Sequence, residues 1–204
     1  GYDAVQHRWP SWLQKLSLPS SVFPKVLQPG EKIAPISKHL AAKFNLCSNT
    51  VIVAGTTDST ASVIATGATR LGHAISTLGS TLVLKILASQ PISSAQFGVY
   101  SQPLFDQWLI GGASNTGGAV MQQFFSDQQI QTLSTQIDPQ HNTGLDYYPL
   151  LVAGERFPIN DPSHAAIMTP RPDNDLHFFQ AILEGIAKIE KKGYQRLMEL
   201  GAQY

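Results

Sequence analysis

Val51-Ile52-Val53-Ala54-Gly55-Thr56-Thr57-Asp58 is the stretch that most narrows the folds open to this chain. A short apolar run of strand type is broken by Gly55-Thr56-Thr57, and Asp58 then leads into residues 59–65, which read as a helix closed by Gly67. Strand, glycine-threonine turn and helix in that order point to the α/β class. In open α/β sheets ligands bind beyond the carboxyl ends of the strands, where the residues after such a strand lie. Asp58 is therefore a candidate acid or base at the mouth of a cleft; the same position also suits a helix N-cap. Residues 74–84, Ala-Ile-Ser-Thr-Leu-Gly-Ser-Thr-Leu-Val-Leu, then read as strand, small hydroxyl-rich turn, strand. A turn of that kind offers amides and hydroxyls to an anion such as a phosphate, and is equally an ordinary hairpin turn.

A third small-residue segment follows. Residues 99–101 and 108–110 read as strands around a turn at 103–107. Gly111-Gly112-Ala113-Ser114-Asn115-Thr116-Gly117-Gly118 then opens a helix over about 119–126. Glycines there let a backbone approach a ligand closely, and a helix N-terminus favours an anion or polar group. The spacing matches neither a Walker loop nor a dinucleotide fingerprint, and tight glycine packing of helix on strand explains it equally well. A second short helix is expected at 129–136. Glu155-Arg156 reads as a loop anchor or buried ion pair ahead of acid–base chemistry. Asp173-Asn174-Asp175 caps a helix to about residue 200, with Leu176, Phe179, Ile182, Leu183, Ile186, Ile189, Leu197 and Met198 as its apolar stripe and Gly193 as a point of weakness. Nearer the start, Ser11 caps a short helix, Trp9 and Trp12 pack down a proline-rich connector, and Ser37 caps a helix over 38–44.

Composition excludes several classes. The 14 Lys plus Arg balance the 14 Asp plus Glu, which leaves no electrostatic case for nucleic acid or an anionic membrane. No apolar run is long enough to span a bilayer and no signal-peptide pattern opens the chain. The single Cys47 excludes an internal disulfide and is expected as a small buried hydrophobe, in keeping with a reducing cytoplasm. The six histidines have no metal-ligand spacing, so no metal ligand is assigned.

GTTDSTA, STLGSTLVLKIL, GGASNTGGAVMQQFF and GERFPINDP, in that order, resemble the FGGY family of carbohydrate kinases along nearly the whole chain. Thr-Thr-Asp-Ser-Thr and Leu-Gly-Ser-Thr are most similar to the cyanobacterial and plant D-ribulose/D-xylulose kinase branch. Many members carry Gly-Asp where this chain has Thr57-Asp58. The resemblance implies an actin-like ATPase (ribonuclease H-like) fold, present in part as the end of a first lobe (1–65) and most of a second (66–204), so that the chain reads as an internal fragment. It implies ATP and Mg2+ as cofactors and a sugar as substrate, with phosphorylation of D-ribulose or D-xylulose in the cytoplasm. Asp58 matches the family's catalytic aspartate. Thr77, Gly79, Ser80 and Thr81 match its phosphate turn, and Gly117, Gly118 and Gln122 its nucleotide-binding segment. The competing expectations are an inactive actin-like binding module and a kinase fragment without activity of its own. Oligomeric state is left open.

Overall fold

Every strand pairing in the computed structural model, which describes residues 2–203, is antiparallel. The described residues form two compact units, one up to Gly67 and one from Ala68 onward.

The first unit carries 3-10 turns at Ser11–Leu16 and Ser20–Val22, then β1 (Lys32–Pro35), α1 (Lys38–Lys43), β2 (Val51–Val53) and α2 (Asp58–Ala65). Strand β1 was not legible in the sequence, because Lys-Ile-Ala-Pro neither alternates cleanly nor lacks a proline. It pairs with β2 through Lys32↔Val53, Ala34↔Ile52 and Pro35↔Val51. Among the described residues β2 therefore ends in a two-stranded antiparallel ribbon, not in the open parallel sheet that would place a carboxyl-end cleft by rule. Val51, Ile52 and Val53 are all exposed, and the unit's buried residues are Ala41, Thr60 and Val63. Ser37 caps α1 by accepting from the Leu40 amide. Trp9 does pack the connector: its indole donates to the Pro24 carbonyl at 3.2 Å and its ring meets Tyr2 and Phe23. Trp12 does not; it is exposed. Cys47 is exposed too, contrary to expectation, in the turn between α1 and β2.

The second unit is built on β3 (Ala74–Leu78), β4 (Leu82–Ala88), β5 (Tyr100–Leu104) and β6 (Gln107–Ala113), in the order β3-β4-β6-β5. Strands β5 and β6 run closer to their turn than expected: Leu104 pairs with Gln107, so Phe105-Asp106 alone make the connection. Pro103 is accommodated because β5 is an edge strand. Helices α3 (Gly118–Gln122) and α4 (Asp127–Ser134) follow, then a long loop and α5 (Asp175–Glu199).

Helix α5 is capped by Asn174, whose side chain accepts from the His177 amide. It buries Phe178, Phe179, Ala181, Ile182, Ile186, Ile189 and Leu197 in a core shared with Leu82, Leu84, Ile86, Ile110, Phe125 and Phe157. At about 1.5–3 kcal/mol per large apolar side chain, this stripe is the main force seating α5 on the sheet. Phe178 joins the stripe through edge contacts with Phe124 and Tyr147 and under the Arg171 guanidinium, 4.5 Å from its ring. Met198 falls off it and is 37% exposed.

Gly193 does not interrupt α5, which runs unbroken through it. A Cβ there would collide with the Leu84 side chain and lie 2.9 Å from Phe157 Cε1, so the glycine is what lets helix and sheet approach. Gly193→Ala gains about 0.5–1 kcal/mol in helix propensity and loses about 1–3 kcal/mol to overpacking. A net loss is therefore expected, of about 1–2 kcal/mol by these magnitudes. A urea midpoint at or above that of the parent would refute this packing role.

Candidate functional site

Leu78 pairs with Leu82, which leaves Gly79, Ser80 and Thr81 as the loop between β3 and β4. The loop is held from beneath by residues 114–119. The Leu82 amide donates to the Thr116 carbonyl at 2.7 Å, and the Ser114 amide to the Leu82 carbonyl at 2.9 Å. The Gly118 amide donates to the Gly79 carbonyl at 2.8 Å, and the Ala119 amide to the Ser80 carbonyl at 3.3 Å. The first amides of α3, which a helix start would otherwise offer to an anion, are thus taken by the turn itself. Chain-on-chain packing also accounts for the glycines. A Cβ on Gly117 would lie 2.5 Å from the Ser80 carbonyl oxygen and from Thr81 Cα; one on Gly118 would lie 2.9 Å from the Gly79 oxygen.

Beside this seam lies a hollow of about 360 Å³, walled by Gly79 and Ser80, by Gly118 and Gln122, and across from them by Asp127 and Gln131. Gln122 Nε2 donates to Asp127 Oδ1 at 3.4 Å. The fold thus gathers Gly79, Ser80, Gly118 and Gln122 around one space. Thr77, Thr81 and Gly117 do not line it: Thr77 is exposed on β3 opposite Val83, Thr81 is half-buried, and Gly117 is buried under the turn. Asp127 lies two residues before the helix expected at 129–136, and Gln131, inside that helix, faces the hollow only through the fold. Ser126 and Gln129 form a reciprocal capping box, and that Ser-x-x-Gln signal places the helix start at Asp127.

In the first unit Asp58 is the first residue of α2, and the cap is Thr57, whose side chain accepts from the Thr60 amide. Thr57 and Thr60 hydroxyls also meet at 3.1 Å, with Thr60 and Val63 buried beneath. Asp58 Oδ1 accepts from the Ser59 amide at 2.6 Å and its side chain is exposed. The carboxylate is thus not the cap of α2.

No family model matches the sequence. The gluconokinase of Bacillus subtilis (strain 168) is 26% identical over 172 residues, covering 74% of this chain and 33% of that protein. Among solved structures, the xyloylose kinase of Brucella ovis matches with a TM-score of 0.81 and 22% identity, over 97% of this chain and 43% of its own. The gluconate kinase of Lactobacillus acidophilus matches with a TM-score of 0.72 and 25% identity, over 91% and 39%. The fold is that of the FGGY carbohydrate kinases. It is an α/β, actin-like ATPase fold, present in part. The chain spans about a third of the length of the curated relatives it matches.

Within this FGGY fold the GERFP landmark is a clasp. Glu155 is 2% exposed. Its Oε2 accepts from Ser114 Oγ at 2.6 Å and from the Tyr148 hydroxyl at 3.0 Å; its Oε1 accepts from the Asn115 amide at 2.8 Å and the Phe157 amide at 3.4 Å. Burial, and then the adjoining Glu155 carboxylate, push the Tyr148 hydroxyl well above the ordinary tyrosine range, so it stays protonated and donates. Arg156 is exposed, so the loop-anchor reading of this pair stands and the buried ion pair does not. Among the described residues no helix is long and apolar enough to cross a membrane. Nor do any three or more His, Cys, Asp or Glu side chains among them gather as a metal site.

Proposed function

We propose that this chain is part of an ATP-dependent sugar kinase, and that it contributes the catalytic base and most of the nucleotide-binding lobe. The observation that carries the reading is the seam of Gly117-Gly118 on the 79–81 turn, with Gly79, Ser80, Gly118 and Gln122 around one hollow. Residues 1–65 then belong to the first lobe and 66–204 to the second, in a cytoplasmic enzyme.

ATP supplies the phosphoryl group, with magnesium accompanying its phosphates; no residue of this chain is assigned to the metal. Asp58 accepts the proton of the attacking sugar hydroxyl, a task suited to an exposed carboxylate that no cap has claimed. Gly79, Ser80 and Thr81, with Thr77 on β3 just before them, hold the transferable phosphate, and Ser80 is the direct contact. Gly118 and Gln122 border the nucleotide, and Gly117 supports them from below.

The acceptor we favour is a ketopentose, D-xylulose or D-ribulose, a reading supported by the likeness to a kinase named for xyloylose, that is, xylulose. A second acceptor, D-gluconate, is favoured by the curated relatives, which are gluconokinases. A coupled ADP-release assay of the full-length protein with D-xylulose, D-ribulose and D-gluconate separates these. Turnover with either pentulose and little with gluconate is the expected outcome. The reverse ranking moves the assignment to gluconate. No turnover with any of them, in protein that binds ATP, favours an inactive binding module.

A further inference from the structure

Burying a carboxylate costs several kcal/mol unless its oxygens are well supplied with donors. Glu155 is so supplied, and its donors are not scattered. Ser114 and Asn115 come from one segment, Tyr148 and Phe157 from the loop that carries Glu155 itself. The clasp closes in the other direction as well, since Asn115 Nδ2 donates to the Gly154 carbonyl at 2.9 Å. One residue beyond it, the chain meets the turn of the candidate site: Thr116 accepts from Leu82, Gly117 packs on Ser80, and Gly118 donates to Gly79. The Ser114 hydroxyl joins the two regions, giving its proton to Glu155 while accepting from the Thr116 amide at 3.1 Å.

We infer that Glu155 is a positioning residue of the nucleotide site: through Ser114 and Asn115 its carboxylate fixes the path of residues 116–118, and so the placing of Gly118 against Gly79 and Ser80. It touches no substrate. The role rests on the nucleotide reading above, but the clasp itself can be measured without a ligand.

The chemistry of its partners supplies a rescue. Oε1 faces two amides that can only donate, whereas Oε2 faces two hydroxyls that can turn and accept. Glutamine keeps the amide half of this arrangement, with its oxygen toward the two amides, and its NH2 can donate to hydroxyls that turn to accept. Alanine leaves the Asn115 amide buried without its acceptor.

The test uses the full-length protein as wild type, Glu155→Gln, Glu155→Ala and Ser114→Ala. ATP binding is measured by calorimetry, sugar binding with whichever of D-xylulose, D-ribulose and D-gluconate the wild type phosphorylates, and amide exchange over residues 115–119. Glu155→Ala is expected to weaken ATP ~10–100-fold, while sugar affinity stays within about threefold. Exchange at 115–119 should quicken, and Glu155→Gln should restore both readings. A folded Glu155→Ala protein with wild-type ATP affinity and unchanged exchange overturns the inference. So does equal weakening of both ligands, or a glutamine variant no better than alanine. If Glu155→Ala does not fold, Ser114→Ala is read by the same criteria, with an expected loss of about fivefold in ATP affinity. If the wild type binds no ATP, the proposed function fails and exchange alone decides the positioning role. Faster exchange in the alanine variant, restored by glutamine, supports it; unchanged exchange overturns it.

Discussion

Asp58→Asn in the full-length protein is expected to lower turnover ~10²–10⁴-fold, the usual contribution of a positioned general base, while ATP binding persists. The substitution isolates chemistry from folding. Thr57, not Asp58, caps α2, and Thr60 and Val63 fasten the helix from below. Asparagine keeps an oxygen that can accept from the Ser59 amide, as Asp58 Oδ1 does at 2.6 Å. What it forfeits structurally is the interaction of a negative charge with a helix start, commonly about 0.3–1 kcal/mol. A hundredfold or larger loss of rate corresponds to about 2.7 kcal/mol or more of transition-state stabilisation, too much for that helix effect to explain. Steady-state kinetics with the preferred sugar, together with ATP calorimetry, decide the matter. Near-parental turnover by Asp58→Asn would end the assignment of Asp58 as base.

Gly117→Ala is expected to be the most damaging single-methyl change in the second unit. Gly117 has φ 153° and ψ −166°, a region open in practice to glycine alone, and forcing a side chain into it costs on the order of 1–3 kcal/mol. The new Cβ would also press on backbone, 2.5 Å from the Ser80 oxygen and 2.7 Å from the Thr81 carbonyl carbon, neither of which can rotate away. Overpacking of that kind adds about 1–3 kcal/mol, against which alanine's smaller unfolded-state entropy returns only about 0.4–1 kcal/mol. The net loss should be about 2–4 kcal/mol in a denaturant titration, with ATP affinity falling alongside because the 79–81 turn must move. An alanine variant with parental stability and parental ATP affinity would show that the seam is not the rigid element described here.

The residues that short-range physics governs were legible in the sequence. The strand at 51–53 with its glycine-threonine exit and helix, the hairpin around Gly79-Ser80, the Ser37 cap and the long Asn174-capped helix all rest on neighbours a few positions apart. Periodicity and capping report such relations directly. Even the start of α4 at Asp127 is a local signal, carried by the Ser126–Gln129 box.

Tertiary structure alone decided the rest, because those contacts join positions that no local pattern connects. The inclusion of Phe178 in the core followed from Phe124 and Tyr147 meeting it. The glycines at 117 and 118 suited either a ligand's close approach or tight packing; the fold sets the turn at 79–81 against both and leaves Gly118 beside the hollow. Glu155 is the clearest case, since its principal partners lie 40 and 41 positions away at Asn115 and Ser114. Its sequence neighbour Arg156 suggested an ion pair, but desolvation favours a carboxylate surrounded by fixed donors, and only the folded chain brings those donors to it.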